Sequence, residues 1–582
     1  MTAIDFESYY DEDMSITTLG TKRYCQETDA YMVSMYSPKL QFCGHPADAP
    51  WESLRGQDVC AHNASFDETL YLALVDKGIV PNVDLTWHCT ADACASQQLP
   101  RSLKDATSVL YGVKMDKSVR DGMKGRMPKD LTVIENTELY QYAEADAKFC
   151  WQLSQDLFGL MKPIERKLSE HTRMMGRRGV PVDIEQIEKN LETLKGKLWE
   201  CSRDIPWANT LDVKGKPIAL ASPLALARAC RDAGIPAPVT TAKNDARFDI
   251  WAEEFQSQAP FVAALQRHRR LNRALTVLNN MLDRTDENER MSYGLKYYGA
   301  EATGRWSGDS GLNLQNLPRA ALEGVDIRSC IKAPAGKKLI VLDFSQVEAR
   351  VAMMLGESHV ILKQLADGVD IYEAYARSML GYTDPAPLKV KAPELRHKAK
   401  TLGLGLQFGL GANRLSIMAK IPVDEAEKLV RIFREKNPGI VKQWQHHEYG
   451  FKQQVRQSSK SLQIELDSGR IVKYFDPQIT KEEGMKASTT RNGPRYKWYG
   501  GALFQNSVQG IARDILAQAV LNLEAAGLPV ILHVHDEVIL EVDEATADQD
   551  FAKAVEIMST APDWAPGIPL AVEGHVLDRY EK

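Results

Sequence analysis

Apolar residues recur along this chain either in short unbroken runs or with a helical period, and the two patterns predict different elements. Near the C-terminus, the runs "LPVILHV" (528–534) and "VILEV" (538–542) are typical of buried strands. Asp536 and Glu537 stand side by side between them, although neighbours on a regular strand face opposite ways. We therefore predict a hairpin with both acids at its tip; a solvated acidic turn is the alternative.

A second apolar run, "KKLIVLDF" (337–344), predicts another buried strand. It delivers Asp343 near its end and is followed by a predicted helix that carries Glu348 and Arg350. An acid in such a place often caps the following helix, so capping is the alternative to a catalytic role for Asp343.

Acidic residues also occupy defined places in the N-terminal part of the chain. The short strand "AIDFES" puts Asp5 and Glu7 on one face. Two acids beside a core are costly unless a cation binds them, and a divalent cation is the usual partner. Asp67 follows a predicted strand-to-helix junction, and Tyr142 and Asp146 share one face of a predicted helix. Each of these side chains alone could simply be solvated.

From about 163 to 300 the helical period dominates. The pattern breaks at Gly179 and restarts after Asp183, which is a suitable N-cap. Further on, a predicted helix carries a cluster of arginines: Arg267, Arg269, Arg270 and Arg273. They form either a solvated helix face or a sequence-independent grip on phosphates.

The segment "LRHKAKTLGLGLQFGLG" (395–411) repeats a different pattern. Arg396, Lys400, Leu404 and Phe408 recur every four residues and are predicted to lie along one helix face. Two cations beside an aliphatic and an aromatic group suit a nucleoside triphosphate, because the cations bind phosphates and the apolar pair lies under base and sugar. An amphipathic surface helix is the alternative.

Composition narrows the class of protein. With 582 residues, 44% hydrophobic and 26% charged, the chain is expected to be a soluble multidomain protein. No apolar run approaches membrane length and no signal peptide is evident, so we expect a cytoplasmic protein without membrane association. The nine cysteines include no Cys-x-x-Cys pair, which disfavours structural zinc and a disulfide framework. A net charge of −6 does not by itself indicate a nucleic-acid binder.

The N-terminal acids occur in the order D-x-E, N-x-x-F-D and Y-x-x-x-D. This order resembles the three motifs of the DnaQ-like 3′-5′ proofreading exonucleases. The resemblance implies that Asp5, Glu7, Asp67 and Asp146 hold two Mg²⁺ ions, for which Mn²⁺ can substitute, and that Tyr142 orients the attacking water.

Three later segments resemble motifs A, B and C of the family A DNA polymerases: the strand ending near Asp343, "RHKAKTLGLGLQFG" and "VHDE". "TGRWSGDSGLNLQNLPR" (303–319) and "NSVQGIARDIL" (506–516) also look like family signatures. The resemblance covers essentially the whole chain and is strongest to Klenow-like enzymes of phage type. It implies a DNA polymerase that extends a primer with dNTPs by two-metal-ion chemistry, joined to a proofreading exonuclease.

The resemblance also implies residue roles. Asp343, Asp536 and the backbone carbonyl of Phe344 would hold two Mg²⁺ ions, with Glu537 as an accessory carboxylate. The implied nucleotide-binding residues are Arg396, Lys400, Leu404, Phe408, Gln346, Tyr372 and Glu348, the last as a steric gate against a ribose 2′ hydroxyl. The implied contacts to primer–template DNA are Arg305, Gln315, Gln509 and His535; structural roles are the alternative for these four.

Several positions depart from the family pattern. Leu404 stands where many relatives have Phe or Tyr, Phe408 replaces a frequent Tyr, and Tyr372 occupies a place often held by His. If Glu348 normally leans on the hydroxyl of that Tyr, it must find another partner in this chain.

The implied architecture is an α/β and α+β multidomain protein, an RNase H-like exonuclease followed by a right-hand polymerase with helical thumb, antiparallel palm and helical fingers. We predict these boundaries: exonuclease 1–162, thumb 163–300, first palm part 301–350, fingers 351–440 and second palm part 441–582. The fingers are predicted to end near "EKNPGI", where Asn437 breaks a helix.

The expected partners are primer–template DNA, dNTPs and the replisome proteins helicase, primase and single-strand binding protein. We expect a monomer that replicates phage DNA in a bacterial cytoplasm. A single-subunit RNA polymerase-like enzyme and a non-catalytic DNA-binding replication subunit are the alternatives.

Overall fold

The computed structural model describes residues 1–116, 118–212, 214–242 and 246–581, without the side chains of Ala246 and Leu404. The chain divides into two compact units. The larger unit comprises Met1–Gly179, Ser292–Gln315 and Pro334–Asp578, and the smaller one Val180–Met291, Asn316–Ala333 and the residues from Arg579 onward. None of the helices described is both long and apolar enough to cross a bilayer.

The N-terminal part of the larger unit is built on a five-stranded sheet of order β3-β2-β1-β4-β5. Its elements are β1 (Thr2–Ser8), α1 (Ile16–Glu27), β2 (Ala30–Ser37), β3 (Leu40–Gly44), β4 (Gln57–Ala61), α2 (Ala64–Asp76), β5 (Leu85–Cys89), α3 (Thr90–Ser96), α4 (Leu103–Tyr111), α5 (Ser118–Asp121), α6 (Val133–Leu157) and α7 (Pro163–Arg178). β1 pairs antiparallel with β2 and parallel with β4.

Alternation along β1 puts apolar side chains on one face of the sheet and acidic side chains on the other. Ile4 and Phe6 are buried in the hydrophobic core, whereas Asp5 and Glu7 face the other side of the sheet, as predicted. The Phe6 N–H donates to Asp67 Oδ1 over 3.1 Å, which ties the first turn of α2 to the central strand. These contacts place three of the predicted acids around one strand.

The helix α6 begins with reciprocal capping. Thr132 Oγ1 accepts from the Glu135 N–H at 3.3 Å, and Glu135 Oε2 accepts from the Thr132 N–H at 2.8 Å. The helix then runs against β1 and β2 and carries Tyr142 and Asp146 on its buried face. The predicted shared face of these two residues is confirmed.

The smaller unit is mainly helical. Its elements are β6 (Val180–Pro181), α8 (Ile184–Ser202), α9 (Pro223–Asp232), α10 (Ala246–Phe255), α11 (Pro260–Asp283) and β7 (Arg290–Met291). Asp183 caps α8 as predicted, because its side chain accepts from the Gln186 N–H at 3.0 Å. In α11, Arg267 pairs with Glu323 at 2.6 Å and Arg269 lies 3.6 Å from the centre of the Phe248 ring. Two of the four clustered arginines therefore have structural contacts.

The rest of the larger unit contains two four-stranded sheets, the two-stranded sheet β8-β9 and a group of helices. Its elements are β8 (Gly294–Lys296), β9 (Ser307–Asp309), β10 (Lys337–Phe344), α12 (Val347–Leu355), α13 (His359–Ala366), α14 (Ile371–Met379), α15 (Leu388–Lys391), α16 (Pro393–Leu406), α17 (Ala412–Ala419), α18 (Val423–Lys436), α19 (Pro438–Arg456), β11 (Ser461–Glu465), β12 (Ile471–Thr480), β13 (Gly484–Ser488), β14 (Tyr496–Trp498), α20 (Gly500–Ala525), β15 (Val530–Val534), β16 (Glu537–Asp543), α21 (Ala547–Ser559) and β17 (Val572–Leu577). The break predicted at Asn437 is confirmed between α18 and α19.

Strands β15-β16-β10-β17 form an antiparallel sheet, and β11-β12-β13-β14 form another. β10 lies between β16 and β17 and has four consecutive buried residues, Leu339 to Leu342. A strand covered on both faces favours such an unbroken apolar run. This explains why the sequence predicted β10, β15 and β16 correctly.

One predicted helix is shorter than expected. We predicted Arg396 to Phe408 on one helix face, but α16 ends at Leu406 and Phe408 lies beyond it. The Phe408 N–H bonds to the Gly405 carbonyl three residues back, and Gly409 has φ of 81°. Closely spaced glycines weaken a helix and a left-handed glycine ends it, which the four-residue spacing alone did not reveal.

Gln98 joins the N-terminal part to the β11–β14 sheet. Its side-chain amide donates to the carbonyls of Lys473 and Thr489 at 2.8 Å each and accepts from the Lys473 N–H at 2.6 Å. Its own carbonyl accepts from the Arg491 N–H at 3.0 Å. Because Gln98 is only 1% exposed, these bonds have little competition from water and fix the two regions together.

Candidate active sites

The predicted N-terminal site lies in a cavity of about 570 Å³. Its walls include all five predicted residues: Asp5, Glu7, Asp67, Tyr142 and Asp146. They come from one strand and two helices, β1, α2 and α6, so the convergence of the three sequence motifs is observed directly.

The carboxylates of this cavity are buried and repel one another. Burial, followed by the charge of Asp146, raises the pKa of Asp5 well above its usual range and that of Glu7 to about 7. Burial raises the pKa of Asp67 to about 8, even though the Phe6 N–H donates to its carboxylate. Burial and the adjacent Asp146 also raise the pKa of the Tyr142 hydroxyl. The cavity therefore favours added positive charge.

Arg120, which the sequence motifs did not indicate, lies at the same cavity. Its charge lowers the pKa of both Asp5 and Glu7 and so offsets part of their repulsion. The Tyr10 hydroxyl donates to the Arg120 carbonyl at 2.8 Å and helps hold α5 there. No local pattern marks Arg120, because only the tertiary fold brings α5 to the cavity.

The second predicted site lies at the β15–β16 hairpin. His535 and Asp536 form its two-residue turn, and Glu537 is the first residue of β16 rather than part of the tip. His535 has φ of 58°, a left-handed conformation that a tight hairpin turn requires. The Phe344 N–H donates to the Asp536 carbonyl at 3.1 Å. The turn is thereby attached to the end of β10.

Strand register aligns the acidic side chains of this sheet. Asp343 lies directly opposite Glu537 on β16 and opposite Glu573 on β17. Directly opposed residues of antiparallel strands share one face, with Cβ atoms about 4.5–5.5 Å apart. Glu573 was not singled out in the sequence, because its role as a neighbour depends on the order of strands.

The chemistry of both donor sets matches a divalent cation. Buried or half-buried carboxylate oxygens are the ligands that Mg²⁺ prefers, and Asp5 Oδ2 is buried without a hydrogen-bond partner among the residues described. No group of three or more His, Cys, Asp or Glu side chains in the described chain is yet arranged to hold a metal ion. The carboxylate donors of both sets fit the predicted ions.

Two histidines of the hairpin have opposite environments. His533 is buried, its ring centre lies 4.6 Å from that of Trp306, and burial lowers its pKa to about 3. His535 is exposed at the turn. His535 therefore does not have the buried structural role that was its alternative to a DNA contact.

Glu348 has hydrogen-bond partners other than the Tyr hydroxyl that Phe408 lacks. In α12 its Oε1 accepts from Arg305 Nη2, and its Oε2 lies 3.5 Å from Gln509 Nε2. Phe408, which has no hydroxyl, is buried with its ring centre 6.3 Å from that of Phe504. An arginine and an amide thus hold the Glu348 carboxylate in this chain.

The predicted phosphate-binding cations lie on α16. Arg396 Nη2 donates to Asp370 Oδ2 at 2.6 Å, and its guanidinium carbon lies 5.1 Å from the centre of the Tyr372 ring. Lys400 is exposed one turn later. The side chain of Leu404 lies outside the described residues.

The remaining predicted residues have local structural contacts. Gln346 precedes α12 with φ of 50°. Gln315 is buried in a 3₁₀ turn and its N–H donates to Asn313 Oδ1 at 3.0 Å. Arg350 donates to the Ser345 carbonyl at 2.7 Å and so supports the turn between β10 and α12.

The chain is similar in sequence to known proteins. A sequence model described as DNA polymerase family A matches residues 189–582. The chain is 31% identical over 342 residues to the DNA polymerase of Bacillus phage SP02, covering 50% of this chain and 52% of that protein. It is 28% identical over 437 residues to a thermostable DNA polymerase I of Thermus filiformis, covering 72% of this chain and 48% of that protein. The chain spans about half the length of the curated relatives it matches.

A solved structure has a similar fold. It is described as the POL domain of Pol1 from M. smegmatis in complex with DNA primer-template and dNTP, and its TM-score to this chain is 0.70 at 19% identity. The likeness covers 100% of this chain and 95% of that one.

Proposed function

The chain belongs to DNA polymerase family A, and we propose on that premise that it is a template-directed DNA polymerase that extends a primer 3′ end with dNTPs. One observation carries the proposal. The register of β10 and β16 puts Asp343 opposite Glu537, and the Phe344 N–H fixes the Asp536 turn beside them. Acids from distant parts of the sequence thus meet at one sheet end.

Asp343, Asp536 and the Phe344 carbonyl would hold two Mg²⁺ or Mn²⁺ ions, with Glu537 as an accessory carboxylate. When bound, such ions lower the pKa of the primer hydroxyl and neutralise the leaving pyrophosphate. The register of β10 and β16 keeps the Asp343 and Glu537 side chains on one face of the sheet, so little reorganisation of these two acids is needed when charge develops.

The fingers residues would bind the incoming nucleotide. Arg396 and Lys400 donate to the triphosphate, Tyr372 and Gln346 border it, and Leu404 and Phe408 flank the base and sugar. Glu348, held by Arg305 and Gln509, would occupy the space of a ribose 2′ hydroxyl and exclude ribonucleotides. Arg305, Gln315, Gln509 and His535 are the proposed contacts to primer–template DNA.

We also propose that the N-terminal cavity is a 3′-5′ proofreading exonuclease of RNase H-like fold. Asp5, Glu7, Asp67 and Asp146 would hold two divalent ions, and Tyr142 would orient the attacking water. The supporting observation is the burial of these acids together, which raises the pKa of three of them. A cavity of this kind is stabilised when cations bind.

Further features of the proposal follow from the family. The predicted boundaries of exonuclease, thumb, palm and fingers, the role in phage DNA replication, the monomeric state and the replisome partners remain our proposals. DNA and a dNTP are present in the solved structure of similar fold, which supports the proposed substrates.

A primer assay with purified protein tests both activities. We expect Mg²⁺-dependent, templated extension with dNTPs, little extension with rNTPs, and shortening of the primer 3′ end when dNTPs are omitted. Efficient extension with rNTPs would favour the RNA polymerase-like alternative. Binding of primer–template DNA without extension or shortening would favour a non-catalytic subunit.

A further inference from the structure

The carboxylate of Asp370 has two separate partners in the fingers. It precedes α14, where its Oδ1 accepts from the N–H groups of Tyr372 at 2.8 Å and Glu373 at 3.2 Å and so caps the helix. Its Oδ2 accepts from Arg396 Nη2 at 2.6 Å. One side chain therefore both starts α14 and neutralises a cation of α16.

Asp370 binds the Arg396 guanidinium but does not use all of its N–H donors. It lies near the Tyr372 ring, and its Nε is buried without a hydrogen-bond partner in the described chain. Its side chain is 26% exposed and that of Asp370 is 28% exposed, so an anion from solvent can reach the pair.

A carboxylate and a phosphate compete for the same guanidinium donors. Because Asp370 occupies one of them, an arriving triphosphate must displace that contact before Arg396 can bind fully. The same competition favours departure of pyrophosphate, since Asp370 recaptures Arg396 as the product leaves. A ligand can shift this exchange only by its differential affinity for the released guanidinium.

We propose that Asp370 is a positioning residue that holds Arg396 between turnovers and yields it to the triphosphate, and thereby weakens nucleotide and pyrophosphate binding. The inference rests on the proposed function, because it requires Arg396 to bind the triphosphate. It goes beyond that function by assigning an internal competitor for the same cation.

D370N is the informative variant. Asparagine caps helices about as well as aspartate, so the change removes the charge and keeps the cap. We expect the dissociation constant for the correct dNTP, measured on a dideoxy-terminated primer–template, to fall about threefold, as the loss of a partly exposed ion pair predicts. KM should fall by the same factor without a rise in kcat, and pyrophosphate should inhibit at about threefold lower concentration.

Two controls separate charge from fold. E394Q removes an exposed acid from the first turn of α16 and should leave dNTP affinity unchanged. D370A removes both the charge and the cap, so it should lower the melting temperature more than D370N does. A D370N variant that melts like the wild type shows that its affinity reports the ion pair.

The double variant D370N/R396A completes the test. We expect R396A alone to weaken dNTP binding, and the threefold gain from D370N to vanish in the R396A background. If R396A weakens binding but D370N leaves it unchanged or weaker, the inference about Asp370 is overturned while the role of Arg396 stands. A gain that persists without Arg396 overturns it too. If R396A has no effect on dNTP binding, the proposed role of Arg396 fails, and the inference fails with it.

Discussion

The two carboxylate clusters of this chain are assembled in different ways. In the N-terminal cavity the acids come from β1, α2 and α6, and burial with mutual repulsion raises the pKa of Asp5, Glu7 and Asp67. At the hairpin, Asp343 and Glu537 come from adjacent strands, and a backbone hydrogen bond attaches the Asp536 turn to β10. In the first site, side-chain packing holds the acids together in spite of their mutual repulsion. In the second site, main-chain hydrogen bonds between strands fix the positions of the acids.

This difference has a consequence for stability. Strand pairing holds the hairpin acids in register whether or not a cation is bound. The cavity acids gain more from an added cation or proton, because each relieves repulsion at low solvent exposure. We therefore expect charge neutralisation to stabilise the N-terminal cavity more than the hairpin.

The largest expected effect is a separation of the two activities. D343A should lower extension by on the order of a thousandfold, because it removes several kcal/mol of charge stabilisation, and should leave primer shortening intact. D5A should do the reverse. Single-turnover assays on one primer–template measure both rates. Loss of both activities in one variant with normal melting would contradict independent sites.

The next effect concerns sugar selection at the hairpin site. E348A should reduce discrimination of dNTP against rNTP by about a hundredfold, and R305A by about tenfold, since Gln509 at 3.5 Å would remain as a partner of Glu348. The ratio of kcat/KM values should be measured in a D5A background, so that shortening does not remove the added ribonucleotide. R319K, at an exposed arginine in the same signature segment, is a matched control.

An R305A variant that keeps full discrimination would show that Glu348 is positioned by packing alone. Wild-type discrimination in E348A would exclude it as the steric gate.

A smaller effect is expected for Arg120. Because its charge offsets the repulsion of Asp5 and Glu7, R120A should slow primer shortening about tenfold and leave extension unchanged. R23A, a substitution of a half-buried arginine on α1 that pairs with Glu27, is the control. Equal rates of primer shortening by R120A and the wild type would show that the charge of Arg120 does not affect the activity of the cavity.

The smallest effect is on stability without metal. The folded pKa values of Glu7 (about 7) and Asp67 (about 8) exceed the ordinary values of 4.5 and 3.8. Between these values the folded chain binds more protons than the unfolded one, so its free energy of unfolding falls as pH rises through this window. Melting in EDTA should show this fall, and E7Q should raise the melting temperature at pH 8 by about 2–4 °C but change it little at pH 4.

Mg²⁺ should restore the wild-type melting temperature at pH 8, and E144Q, an exposed acid on α6, should behave like the wild type. A wild-type melting temperature that rises with pH in EDTA would contradict the raised pKa values.

Much of each site could be predicted because its signals are local. The alternation that puts Asp5 and Glu7 on one face, the helical spacing of Tyr142 and Asp146, and the apolar run before Asp343 depend only on strand and helix geometry. The end of α16 before Phe408 was missed, because the glycines outweighed the four-residue spacing.

The sequence by itself determined the periodic elements, their acidic residues and the family, since short segments of the chain are enough to indicate each of these. Only the tertiary structure decided which elements meet: the partners of Glu348, the pairing of Asp370 with Arg396, the approach of Arg120 and the bridge at Gln98. Such contacts join residues far apart along the chain. Side-chain packing, hydrogen bonding and charge together decide which of these contacts form, and no local sequence pattern predicts them.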